Sequence, residues 1–320
     1  MRRWVLDKVE KEPLNAKRPK KRKAGMEKAL IKTNFVDIGT PKRGKVRDIY
    51  DLGEKLLIVA SDRLSAFDVV LPTGIPDKGK VLTKLSVFWF KQVEDIVKNH
   101  ILEVDVDRYP EILKKHSDSL RDRSMLVKKA RIIPVECVVR GYLSGSGWSD
   151  YKKTGTICGI ELPEGLVESS KLEHPIFTPT TKAEEGHDMN ISFEDLTAMI
   201  GERLAATLRD LSIKIYEKGC EIAERKGILI ADTKFEFGIV DNEIVIVDEI
   251  LTPDSSRFWS KKLYKAGGAQ DSYDKQIVRD YLLTLDWNKT YPGPELPESI
   301  AAKARARYIE ILEILTSRGL

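Results

Sequence analysis

The stretch that most constrains the fold is Asp232-Thr233-Lys234-Phe235-Glu236-Phe237-Gly238, followed by Val247-Asp248-Glu249. Side chains alternate along a strand, so Asp232, Lys234 and Glu236 share one face while Phe235 and Phe237 occupy the other. Strands are depleted in acids and lysine, and lining up three charges within an apolar run is costly unless they are satisfied or used. The chain must therefore build a sheet with one apolar face and one charged face. Asp241-Asn242-Glu243 supply the connection to the next apolar run. A three-residue loop sets Glu236 opposite Asp248 on one face, whereas a two-residue loop sends them to opposite faces. On the first register the two carboxylates suit Mg²⁺, a hard cation that takes one or two protein carboxylates beside nucleotide phosphates. The plainer alternative is a surface hairpin with solvated charges.

A second segment runs Pro134-Val135-Glu136-Cys137-Val138-Val139-Arg140-Gly141-Tyr142-Leu143-Ser144-Gly145-Ser146-Gly147. An apolar strand leads into Arg140 and then a Ser/Gly loop. Backbone amides there can cradle an anion and Arg140 adds a donor fork matched to phosphate, although a simple glycine turn would read the same way. Nearer the N-terminus, Gly44-Lys45-Val46-Arg47-Asp48-Ile49-Tyr50 puts Lys45 and Arg47 on one face of a strand, able to cover phosphates. The P-loop pattern is absent. Polar loops at 62–68, 178–184 and 252–257 close apolar runs, where ligands usually bind.

Around these segments the pattern is mixed. Residues 45–52 and 55–61 read as a hairpin across Gly53-Glu54, 82–97 as an amphipathic helix, and 126–133 and 135–142 as strands split by Pro134. Residues 144–190 read as mostly loop. Ser192-Phe193-Glu194-Asp195 resembles a capping box opening one long helix that Gly227 ends. Strands at 228–240 and 244–250 and helices near 273–284 and 298–317 follow. Without a regular βαβ rhythm the fold class is α+β.

The charge is uneven. Of 54 basic and 50 acidic residues, ten and three fall in residues 1–25, leaving 44 and 47 for the remainder. Residues 1–25, with Lys17-Arg18-Pro19-Lys20-Lys21-Arg22-Lys23, read as a basic, disordered extension, and Met26 is a candidate start. A nucleic-acid-binding module led by that run is the non-enzyme alternative, but the body lacks the basic balance such binding needs, and no nucleic-acid partner is expected for it. No apolar run approaches the roughly 20 residues of a membrane span. Three scattered Cys (137, 158, 220) and four unclustered His exclude a disulfide scaffold and a zinc site and suit the cytoplasm.

Taken together, these motifs resemble the SAICAR synthetase (phosphoribosylaminoimidazole-succinocarboxamide synthase) family from about Thr33 to Trp287. The likeness rests on Ile133-Pro134-Val135-Glu136…Arg140…Gly145-Ser146 and Ile230-Ala231-Asp232-Thr233-Lys234-Phe235-Glu236-Phe237-Gly238. Ser144 departs from the Thr or Ala usual there. The resemblance implies a two-lobed fold related to kinases and ATP-grasp proteins, with an N-terminal lobe at 26–127 and a C-terminal lobe at 128–320. It implies an ATP-dependent ligase joining L-aspartate to carboxyaminoimidazole ribonucleotide (CAIR), with ATP and Mg²⁺ required. By motif position Glu236 and Asp248 would hold Mg²⁺ and, with it, ATP, while Lys45, Arg47 and Lys234 would meet phosphates. Arg140, Ser146 and Arg257 would bind the 5′-phosphate, and the segment from Lys128 to Arg131 would be the interlobe hinge reading adenine. Asp232 would orient an amine or metal water, with Lys182, Asp62 and Ser65 assigned to aspartate. Another ATP-dependent ligase or a small-molecule kinase acting on a phosphorylated substrate is the alternative. The sequence is compatible with a homo-oligomer and sets no oligomeric state.

Overall fold

The computed structural model describes residues 28–182 and 189–320; the basic run at 17–23 lies outside them. Two antiparallel sheets form the frame, as an α+β chain requires. The first has five strands, with Arg47–Asp51 and Lys55–Ala60 at its centre and Ser124–Lys128 beside them. The hairpin between the first two turns on Gly53-Glu54, where Gly53 takes φ +86, a conformation glycine adopts freely. Lys45 is not part of that strand. Gly44 N–H donates to the Arg47 carbonyl at 2.8 Å, closing a bend that ends the pleat before Lys45 can share a face with Arg47.

The second sheet has seven strands and is organised by Ile228–Val240, hereafter the long strand. Val135–Tyr142, the inner strand, is buried along its whole length and pairs Asp232 with Arg140 and Phe235 with Cys137. Ser256–Ser260 flanks the other side of the long strand, and Glu243–Val247 continues that side farther along. Phe235 and Phe237 are fully buried in the core, as the alternation predicts. The chain crosses between sheets at Lys129-Ala130, after Ser124–Lys128 ends on one and before Arg131–Ile132 joins the other.

Three local expectations are corrected. The described residues between 144 and 190 are not mostly loop: they contain the helix Gly145–Thr154 and the strand Lys171–Phe177. The long helix is two, Phe193–Ile200 and Glu202–Arg225, because Gly201 sits at φ 86, ψ 144, outside any helical conformation. Its capping box is real, with Ser192 accepting from the Asp195 amide and the Asp195 side chain answering the Ser192 amide. The hairpin loop after the long strand has two residues rather than three. Val240 pairs with Glu243 across Asp241-Asn242, both left-handed, which is the turn favoured between twisted strands.

The largest apolar cluster is not confined to one sheet. It runs from the helix Lys78–Gln92 (Val81, Leu85, Trp89) through Phe235 and Phe237 to the last helix, Glu298–Thr316 (Tyr308, Ile311, Leu315). Among the described residues no helix is long and apolar enough to cross a membrane.

Candidate active site

Each of the three charges on the polar face of the long strand has a partner from another element. Asp232, buried, accepts from Arg140 Nη1 at 3.0 Å and also binds Arg257 Nη1. Arg140 in turn donates to Ser146 Oγ and to Thr178 Oγ1, each at 3.0 Å. A Cβ on Gly145, which sits at φ +56, would run into the Arg257 guanidinium, so glycine allows both the turn and the close approach. Arg140, Ser146 and Arg257 therefore converge, two guanidiniums and a hydroxyl at the start of the helix Gly145–Thr154. Burial pulls the Arg140 guanidinium's pKa down, Asp232 counters this, and the Arg257 charge adds to the pull. Such a cluster suits a dianion.

Farther along, Lys234 donates to both oxygens of Glu136, at 2.9 and 2.8 Å, and Lys182 pairs with Glu236. The register sets Glu236 opposite Val247, not Asp248, which corrects the facing-pair expectation. Simple alternation would then turn Asp248 away. Instead Asp248 adopts φ 64, breaking the pleat at the strand's end, and its carboxyl feels the charge of Glu236. Burial pushes that carboxyl up, Arg47 pulls it down, Glu236 pushes it further, and the net shift is upward. Two acids thus come within electrostatic reach by a different route from the one the sequence suggested.

Arg47 reaches across from the first sheet to bridge Asp248 at 2.8 Å and Glu249 at 2.9 Å. Burial works against its charge, but the two acids more than compensate and its pKa is raised. Lys45 is separate, exposed and paired with Asp68 at 2.5 Å. Lys128 lies 3.2 Å from Asp241 and Arg131 is exposed on the crossing segment, close to the long strand's far end at Ile239.

Asp62 is not at the charged face. It is buried, and its carboxylate accepts from the Leu30 and Gly79 amides at 2.7 and 2.9 Å and from Arg123 at 2.9 Å, so it anchors the chain around the first helix. Ser65 lies on the short strand Ser65–Ala66, half-buried.

The sequence reading gave no site role to Glu136 or Glu249, and flagged Thr178 only as part of a polar loop. Glu136 was legible, since it is two positions of alternation from Arg140 on the inner strand and so shares its face. Glu249 had no such signal, because it depends on the turn at Asp248. Behind it, Thr252 Oγ1 donates to Glu249 at 2.9 Å, and buried Lys78 pairs with Asp254 at 2.7 Å. Tyr308 of the last helix also donates to Asp254 at 2.7 Å.

Among the described residues no group of three or more Asp, Glu, His or Cys is arranged to hold a metal. Glu236 and Asp248 nevertheless offer hard oxygen donors in mutual repulsion, each with a cation against it, a donor set that fits Mg²⁺ completed by phosphate and water. The three thiols are pushed up, chiefly by burial, to about 12 at Cys137 and Cys220 and about 11 at Cys158, so none is a thiolate nucleophile.

The SAICAR synthetase family model matches residues 40–294. The chain belongs to this family. A phosphoribosylaminoimidazole-succinocarboxamide synthase of Thermodesulfovibrio yellowstonii is 60% identical over 292 residues, covering 91% of this chain and 100% of that protein. One from Geobacter metallireducens is 60% identical over 295 residues, covering 92% and 100%. Among solved structures, a SAICAR synthase from Saccharomyces cerevisiae complexed with SAICAR superposes with a TM-score of 0.83 at 45% identity, covering 92% of this chain and 99% of that one. A SAICAR synthetase in complex with ADP gives 0.65 at 25% identity, covering 88% and 99%. The chain is thus a ligase of purine biosynthesis, and the relatives' names support that reading over the small-molecule kinase alternative.

Proposed function

We propose that the chain uses ATP to join the carboxylate of CAIR to the amine of L-aspartate, giving SAICAR, ADP and phosphate in the cytoplasm. The observation that carries this is the convergence of Arg140 and Arg257 on Asp232, with Ser146 bonded to Arg140, at one end of the charged row that continues through Lys234 to Glu236. A phosphate held at that end would place the rest of a ribonucleotide along the row, toward Lys234.

A carboxylate is a poor electrophile. Its oxygen attacks the γ-phosphorus, ADP leaves, the amine then attacks the acyl carbon, and phosphate departs as the nitrogen loses a proton. Such transfers depend on positioning and charge stabilisation more than on a protein nucleophile. Lys234 faces the path of the phosphoryl group, and Arg47 fixes Asp248 from the opposite sheet. Glu236 and Asp248 would hold Mg²⁺, which when bound neutralises charge on the phosphates. The cleft at 128–131 is the proposed adenine contact, with the lobes dividing there. In this reading Asp232 sets the two arginines rather than touching the amine, and Lys182, beside Glu236, is placed to meet the second, anionic substrate.

The test is an assay with ATP, Mg²⁺, aspartate and CAIR, omitting each in turn; product formed without any one of them refutes the proposal. Arg140→Ala should raise the KM for CAIR far more than that for ATP, and equal effects would count against the phosphate site.

A further inference from the structure

We propose that Glu136 is the positioning residue for Lys234, fixing its ammonium group in the path of the transferred phosphoryl. This rests on the function proposed above. The Glu136 side chain is 11% exposed and that of Lys234 45%, so the acid belongs to the wall and the cation to the cleft. Both carboxylate oxygens accept from Lys234, and Thr180 Oγ1 adds a third bond at 3.2 Å to Oε2. Glu136 cannot readily move. Its neighbours Val135 and Cys137 are buried in the core, and backbone pairing ties it to Thr180 on one side and leads on to the long strand at Cys137.

A free lysine samples many rotamers, and ordering one costs side-chain entropy. The carboxylate meets that cost before substrate arrives. It also settles which acid each lysine takes. Continuing the register past Phe235 and Cys137 brings Glu136 and Glu236 opposite each other, and Lys234 engages the first while Lys182 engages the second. Without the Glu136 charge, Lys234 would turn toward Glu236 and away from its station.

The experiment compares Glu136→Gln, Lys234→Met and the double variant in single turnovers with enzyme in excess, so that residual rates stay readable, alongside thermal melts and the KM for CAIR. Misplacing a catalytic group by about 1 Å costs on the order of a hundredfold, so Glu136→Gln should slow turnover about ten- to a hundredfold with the KM for CAIR little changed. In the Lys234→Met background the same substitution should cost less than about twofold, because groups acting as a unit are not additive. Thr180→Val, which leaves both charges in place, should slow the native enzyme a few-fold and the Lys234→Met variant not at all. Equal losses in both backgrounds would overturn the positioning role and leave Lys234's own role standing. Wild-type turnover by Lys234→Met would instead remove the phosphoryl contact, and this inference with it.

Discussion

Asp232→Asn gives the sharpest reading of the anion site. The substitution preserves shape but removes the carboxylate that, among the described residues, is bonded to both Arg140, which is buried, and Arg257, which is half-buried and of like charge. Breaking a buried ion pair from one side costs about 3–5 kcal/mol, and the remaining amide oxygen puts this case near 3. Unfolding entropy near 2.1 cal/mol/K per residue gives about 0.7 kcal/mol/K for a 320-residue chain, so the melting temperature should fall by about 4 °C. Added phosphate should then act as the missing anion. At ten times its Kd a ligand contributes about 1.4 kcal/mol, so phosphate should restore roughly half the loss and raise the variant's melting temperature more than the native chain's. The assay is a thermal melt with and without phosphate at constant ionic strength. A variant as stable as the native chain, or one that phosphate leaves unmoved, would refute the idea that these guanidiniums form one anion site.

Glu236→Gln should abolish Mg²⁺-dependent turnover, by at least about a hundredfold, while the melting temperature changes little; undiminished ATP use would contradict the metal assignment. Gly145→Ala should push Arg257 aside and raise the KM for CAIR while leaving that for ATP unchanged, as steady-state kinetics would reveal. Burial opposes the Asp254 charge, but Lys275 and Lys78 prevail and its pKa is held far below the usual range. Its stabilisation is therefore complete above the unfolded value of about 3.9 and is lost as pH falls below it, so acid titration of stability should be shallower there in Asp254→Asn. Burial, reinforced by the charge of Arg47, lowers His100 to about 4, and the Ile246 backbone only partly opposes this. The neutral ring's contribution is present above the unfolded value of about 6.5 and drains away between there and about 4, a loss that chemical denaturation should find missing in His100→Phe.

Much of the site was legible because a strand's alternation is local. Asp232, Lys234 and Glu236 share a face, and Phe235 and Phe237 fill the core, for reasons contained in seven consecutive residues. Arg140 and Ser146 followed from a strand feeding a glycine loop. What failed depended on one residue of loop length: the left-handed pair Asp241-Asn242 makes a two-residue turn and shifts the register. What the sequence could not foretell was the compensation, a left-handed Asp248 that restores the acid to its neighbour. That Lys45 stands off the strand and that Asp62 is buried escaped the sequence for the same kind of reason. A bend before Arg47 and a set of amide donors around Asp62 are tertiary facts with no periodic trace. Gly201 is the opposite case, since a glycine within a helical pattern is a visible invitation to break it, and here it did.

The apolar cluster joining the helix Lys78–Gln92 to Glu298–Thr316 carries a consequence for biosynthesis. The first of these leaves the ribosome more than two hundred residues before the second, so Val81, Leu85 and Trp89 wait with their final neighbours still unmade. At about 5–20 residues per second that delay lasts on the order of ten seconds or more, long enough for an apolar helix face to recruit a chaperone or a wrong partner. Nascent chains stalled before residue 298 should be far more protease-sensitive around residues 78–92 than the released protein.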